Sequence, residues 1–373
     1  GYGVVGYLPT YLFEEPQLLI VCRGEGGTGD VKLSPPKCSV TNLSIVISSN
    51  DKFVSKKFLY WALKATDTHR LRTGSAQAQI VIGSLQKLKV TIPTSRLIQD
   101  EIANVLDSLE SRITLLRETN TTLEAIAQAL FKSWFVDFEP ARAKSEGKLP
   151  EGMDEATAVL FPDAFEETEL GMVPKGWKVE ALDNVAEFLN GLALQKFPPT
   201  GINDLPVIKI AQLRKGDTVG ADLAAGSIKP EFVIQDGDVL FSWSGSLEVE
   251  IWCGGIGALN QHLFKVTSSR FEKWFYYLWT KHHLESFRQI AASKATTMGH
   301  IQRGHLTLAK VNVPSEPVLK VANALFTPIV ERIVHNALQA NTLVNLRDTL
   351  LPRLISGQLR IADAKVELEK VTA

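Results

Sequence analysis

The chain has 373 residues, 45% hydrophobic and 22% charged, with a net charge of −1. That is the balance of a folded protein with room for two or three domains; it excludes a disordered polyelectrolyte and gives no global attraction to nucleic acid. No apolar run reaches the roughly 18 residues of a membrane helix, and Cys22, Cys38 and Cys253 are too few and too far apart for a disulfide framework or a zinc site, which fits a reducing cytoplasm.

Residues 1–95 read as a first globule. Short apolar runs at Leu18–Cys22, Leu43–Ile47 and Val81–Ile92, punctuated by Gly, Ser and Asn, predict strands, and Phe53–Thr66 predicts a helix. Residues 1–93 carry 11 Lys and Arg against six acids, enough for one basic face. Gly24-Glu25-Gly26-Gly27-Thr28-Gly29 lacks the lysine of a phosphate-binding loop, having Asp30 instead, and reads as a turn or a close backbone approach.

From Arg96 the apolar period changes to three or four. Ile98, Ile102, Val105, Leu109, Ile113, Leu116, Asn120, Leu123, Ala127, Leu130 and Trp134 form one stripe. The spacing predicts a helix of roughly 55 Å at about 1.5 Å per residue, which needs a partner along its length. This central helix and its end take 96–145. A proline-containing connector takes 146–175, and a second globule 176–316. Its predicted elements are strands at Leu205–Ile210, Asp238–Trp243 and His262–Val266 and a helix near Phe271–Ala292. A distal helix over 317–360 carries the partner stripe of Leu319, Phe326, Val330, Val334, Ala337, Asn341, Val344 and Leu351; 361–373 reads as a solvated tail. Asn120 and Asn341 interrupt the stripes at matching places, and one polar residue in such a seam fixes register.

The chain repeats itself with a shift of 221 residues: Gln79-Ile80-Val81-Ile82-Gly83-Ser84-Leu85 aligns with His300-Ile301-Gln302-Arg303-Gly304-His305-Leu306, and Asn120-Thr121 with Asn341-Thr342. Each copy is a β-rich globule followed by a long helix, an α+β plan suited to a bipartite target. The counterparts of Trp177 and the residues up to about 220 fall before Gly1, so the first copy is expected to lack its opening.

No catalytic constellation emerges. A methyltransferase would need a glycine-rich cofactor loop and an Asn/Asp-Pro-Pro-aromatic loop, and phosphodiester cleavage usually needs clustered carboxylates. Neither is present, and His282-His283, His300 and His305 lack metal spacing. Catalytic residues, metals and cofactors are therefore not expected. What remains are polar loops at equivalent places in the two copies. The first offers Arg23, then Thr41 and Asn42, then Gln77 and Gln79. The second offers Ser242 and Ser244, then Asn260, Gln261 and His262, then Thr296, Thr297 and His300, with Lys294 placed to touch phosphate. Asn and Gln pair bidentately with adenine, Arg with guanine, and Ser or Thr with either, so these residues form a candidate DNA-reading surface. Phe131, Trp134, Phe135 and Phe138 are more aromatic surface than a two-helix seam can cover. They predict an exposed docking patch for partner subunits, to which Arg347 and Arg353 of the distal helix are added.

Three stretches carry a resemblance. Ala129-Leu130-Phe131-Lys132-Ser133-Trp134-Phe135-Val136-Asp137-Phe138, with Glu139-Pro140-Ala141-Arg142-Ala143-Lys144 after it, and Leu346-Arg347-Asp348-Thr349-Leu350-Leu351-Pro352-Arg353-Leu354-Ile355-Ser356-Gly357 resemble the specificity subunits of type I restriction–modification systems. Gly176-Trp177-Lys178-Val179-Glu180-Ala181-Leu182 resembles the opening of such a subunit's target recognition domain. The resemblance implies two α+β target recognition domains, the first N-terminally incomplete, separated by two long antiparallel coiled-coil helices. It implies a bipartite double-stranded DNA target whose gap is set by helix length, and a subunit without activity of its own. Such a subunit holds two modification (methyltransferase) subunits and, through them, ATP-dependent restriction subunits. The alternatives are a DNA-specificity protein of another defence complex and a coiled-coil scaffold that binds protein. Salt separates DNA binding from scaffolding, because only DNA binding must weaken steeply with it.

Overall fold

The computed structural model describes all residues except 1–2, 25–26, 75–77, 294–298 and 373. The chain divides into two compact units, 1–115 with 340–373 and 116–339. Each unit contains part of both long helices, Arg96–Phe131 and Glu316–Ile355. In the first unit Arg347 donates to Glu110; in the second Asn336 Nδ2 donates to Asn120 Oδ1 at 3.0 Å. Numbering falls on one helix as it rises on the other, so the pair is antiparallel, as expected. Ile102, Val105, Leu109, Ile113 and Leu116 are buried, as are Phe326, Val330, Leu343, Leu350 and Leu354. Ile98 departs from the expected stripe and is exposed, and Leu123 is only half-buried. The hydrogen bonds of Asn120 cross to the distal helix. Its Nδ2 donates to Ile333 O at 2.8 Å, and its Oδ1 takes the proton of the buried Asn336. The sequence repeat equates Asn120 with Asn341, but an antiparallel seam pairs residues by their distance from the crossing.

In the first unit three antiparallel strands lie in the order Val31–Leu33, Leu18–Val21, Ser44–Ile47. Ser55 caps the helix Lys56–Lys64 by accepting from Phe58 N, satisfying one of the free amides of the first turn. That helix buries Phe58 and Trp61 completely. Trp61 Nε1 donates to Asp107 at 2.7 Å, and Ser55 N donates to Gln99 Oε1 at 3.1 Å, which fastens the globule to the central helix. Of the glycine-rich stretch, 27–29 form a turn and 25–26 lie outside the described residues; Thr28 Oγ1 donates to Gly24 O, and a Cβ on Gly29 would come within 2.5 Å of His69 Nδ1. The expected strand over Val81–Ile92 does not form; a helical turn, Ile82–Leu85, stands there, and 89–92 is irregular. The expected tail is likewise a helix, Ile361–Thr372, with Ala364 fully buried and Glu367 beside Arg353.

In the second unit a four-stranded antiparallel sheet runs Val249–Ile251, Val239–Ser242, Leu263–Thr267, Glu187–Asn190. A second sheet orders Val233–Ile234, Gly257–Leu259, Leu205–Ile208, Leu223–Ala224, with the middle pair parallel. Lys310–Val313 pairs with Lys178–Ala181. The helix Lys273–Ser293 brings Trp274, Phe275 and Trp279 into the core. The 146–175 connector is folded, with a short helix, Glu155–Leu160, and a hairpin of Phe165–Thr168 with Gly171–Pro174.

This core corrects the expectation of an aromatic docking patch. Phe131, Trp134, Phe135 and Phe138 are all buried. Phe135 lies 5.9 Å from Trp177, 5.6 Å from Trp274 and 6.0 Å from Phe326, ring centre to ring centre, and Phe138 meets Trp177 edge-on at 5.7 Å. The rings do exceed a two-helix seam, but the second globule covers the excess. A π-helical turn, Lys132–Val136, and a left-handed Phe138 at φ 56° turn the chain into that core. A polar clamp adds to it: Lys281 meets Glu124 at 3.3 Å and Glu250 at 3.9 Å. Burial pulls the Lys281 ammonium down, but Tyr277, Glu250 and Glu124 outweigh it and hold it above the ordinary lysine range; burial pushes Glu250 up.

Candidate nucleic-acid interface

Three of the expected loops of the second globule meet. Ser244 and His300 form an antiparallel bridge, Gly245 N donates to Gly299 O at 2.9 Å, and Ile301 N donates to Trp243 O at 3.0 Å. Trp243 N donates to His262 O, and Gln261 N donates to Leu192 O. Close backbone contact is possible here because position 191 is glycine: a Cβ on Gly191 would lie 2.3 Å from Asn260 O.

Within this cluster the expected readers divide into two kinds. Ser242 is fully buried; its hydroxyl donates to Ser246 O at 2.6 Å and accepts from Glu248 N at 2.7 Å, closing the loop between them. Asn260 is buried, and its Oδ1 accepts from His262 N at 3.2 Å. Ser244 is buried against His262 Nδ1 at 2.9 Å. These three side chains shape the surface from beneath and do not face solvent, which corrects their assignment as readers. The polar character that singled them out in sequence serves buried hydrogen bonds. Gln261 and His262 are half-buried and His300 is exposed. Lys294, Thr296 and Thr297 lie outside the described residues.

The structure adds residues that sequence reasoning missed. Trp243, half-buried, lies between His262 at 5.9 Å and His300 at 6.4 Å, and its Nε1 donates to the exposed Asn190 at 3.0 Å. Arg303 is exposed, donates to Phe188 O at 3.1 Å and covers the Phe264 ring. Arg303 sits in the repeated segment, so its position was visible; Asn190 comes from a strand whose place beside the loops only the fold reveals.

The first globule builds a smaller version of the same arrangement. Arg23 and Gln79 form an antiparallel bridge, and a shift of 221 residues places them on Ser244 and His300. Arg23 N donates to Leu43 O, next to the exposed Thr41 and Asn42. Arg23 and Gln79 are exposed, and Gln77 lies outside the described residues. Several cations of this basic segment have partners: Lys57 faces Asp107, Lys37 faces Glu14, and Arg72 Nε donates to Thr28 O. On the distal helix, Arg347 is largely buried between Glu110 and Asp348, whereas Arg353 is partly exposed.

Comparison with known proteins agrees with this architecture. The family model for the type I restriction modification DNA specificity domain matches residues 1–125 and 174–322. The chain is 24% identical to the type I restriction enzyme HindI specificity subunit of Haemophilus influenzae, over 86% of this chain and 81% of that one. It is 25% identical to the MjaIX specificity subunit of Methanocaldococcus jannaschii, over 83% of this chain and 70% of that one. Its fold is similar to the crystal structure of the type I restriction–modification S subunit from M. genitalium, with a TM-score of 0.58 and 16% identity, covering 95% of this chain and 86% of that chain. With the specificity domain matched twice, over most of its length, the chain belongs to the type I restriction–modification DNA specificity family.

Proposed function

We propose that this chain is the non-catalytic DNA-recognition subunit of a type I restriction–modification complex. Each globule reads one part of a bipartite duplex target, and the antiparallel helices join the two readers. The observation that carries this reading is the recurrence of one bridge, Arg23 with Gln79 and Ser244 with His300, at the same shift in two globules. In each copy it gathers exposed polar side chains over a supported loop. Recurrence at that place favours a repeated reading task over incidental surface polarity. The near-zero net charge leaves little non-specific attraction, so discrimination rests on base contacts, with Arg303 and Lys294 as phosphate contacts.

The partners in this reading are double-stranded DNA and two modification subunits, with restriction subunits joined through them, in the cytoplasm. Methylation and ATP-dependent cleavage reside in those partners. Since the aromatic run is buried, docking falls to the exposed faces of the helices and to residues such as Arg353. The test is binding of the full chain, assembled with its modification subunits, to duplex DNA across a salt titration. Affinity should fall by orders of magnitude between about 50 and 200 mM salt if several phosphates are neutralised. Flat salt dependence would favour a protein scaffold.

A further inference from the structure

We infer that Gln261 is an adenine-reading residue whose amide is oriented by a partly buried relay through His262 to Ser244. The inference rests on the DNA-reading role proposed above and assigns one base class to one side chain. Gln261 Nε2 lies 3.3 Å from His262 Nε2, and His262 Nδ1 lies 2.9 Å from Ser244 Oγ. An amide nitrogen can only donate, so His262 Nε2 accepts. Nδ1 then carries the N–H and donates to Ser244 Oγ, in a residue 4% exposed and bridged to His300. The ring is held on a second side by Trp243, itself tied to Asn190, and the Gln261 backbone is held by Leu192 O.

This wiring decides what Gln261 offers. One of its two N–H groups is used by His262. The other N–H and Oε1 remain to meet a base, on a side chain that is half-buried. One donor beside one acceptor on a planar amide complements adenine in the major groove, where N7 accepts and the N6 amino group donates. Guanine offers two acceptors there and leaves Oε1 facing O6, while cytosine offers only a donor. The relay also removes rotamer freedom from Gln261 before DNA arrives, so less ordering cost falls on binding. Gln261 is thus the specificity residue, and His262 and Ser244 are positioning residues.

The experiment uses the full chain assembled with its modification subunits and duplexes varied one base pair at a time. Wild type should discriminate at one A·T pair by about 5- to 140-fold, the range of a good bidentate contact at a decade per about 1.4 kcal/mol. Gln261→Ala should lose preference at that pair alone. Gln261→Glu, which can only accept, should shift preference there toward cytosine. His262→Gln places an acceptor where Nε2 stands and should keep most of the preference that His262→Ala loses, with equal melting temperatures for the two. The adenine assignment is overturned if Gln261→Ala leaves every preference intact or relaxes a G·C pair. Equal losses in His262→Gln and His262→Ala would overturn the relay. A wild-type complex with no base preference anywhere would instead overturn the DNA-reading proposal on which the inference rests.

Discussion

The two globules are copies in sequence but differ in how their strands are covered. In the second, Lys310–Val313 pairs with Lys178–Ala181, and Leu263–Thr267 is covered by Glu187–Asn190, whose Phe188 packs on Phe241 and Phe264. In the first globule the segment equivalent to Lys310–Val313 is irregular, and Ser44–Ile47 is an edge strand half-buried along its whole length. The near-identical apolar patterns of Lys89-Val90-Thr91-Ile92 and Lys310-Val311-Asn312-Val313 therefore give a strand in one place and none in the other. What differs is the partner: a strand needs a neighbour to satisfy its backbone and cover its side chains, and pattern alone does not supply one. The helical parts repeat faithfully, Ile82–Leu85 with Arg303–Leu308 and Arg96–Phe131 with Glu316–Ile355, because their hydrogen bonds are internal.

The largest expected effect tests whether the second globule's covered strands depend on its aromatic core. Phe135→Ala removes a fully buried ring from between Trp177, Trp274 and Phe326 and should cost about 3–5 kcal/mol, measured by urea unfolding of the full chain. An unchanged midpoint would mean that the cluster is not tightly packed around that ring. Next comes the seam. Leu109→Ala should cost about 2–5 kcal/mol because the side chain is fully buried. Leu123→Ala, at a half-buried site, should cost clearly less. Equal costs would show that seam burial does not set the stability.

A smaller effect sharpens the comparison through pH. His283 lies on the helix of the second globule and bonds Lys310 O at 2.8 Å; its counterpart in the first is the apolar, fully buried Ala62. Burial, with His282 alongside, pushes His283 down to about 4 from an ordinary 6.5. The stability it contributes is complete above about 6.5. It falls as pH drops from there to about 4, where the unfolded chain takes a proton that the folded chain refuses, and no more is lost below that. Thermal melting should show this slope, and His283→Gln, which keeps a donor, should flatten it. An equal slope in the variant would assign the acid sensitivity elsewhere.

The repeat and the two long helices were readable from sequence because period and motif spacing are local properties. The site was readable only in part. Gln261 and His262 are half-buried and His300 is exposed, but nothing local in the sequence separates Gln261 from its neighbour Asn260, whose side chain turns inward to His262 N. Phe131 to Phe138 showed the same limit: the sequence shows how much aromatic surface there is, and only the fold shows what covers it. The tail helix Ile361–Thr372 was missed because the charged run Glu367 to Lys370 reads as solvated, although Ile361, Ala364, Leu368 and Val371 recur at helical spacing.

The central claim, that two copies of one reader recognise a two-part DNA sequence, is tested most directly by selecting bound duplexes from a randomised pool with the full chain and its modification subunits. The account predicts enrichment of two short motifs at a fixed separation, with Gln261→Ala altering one motif and leaving the other unchanged. A single contiguous motif, or no enriched sequence at all, would contradict it.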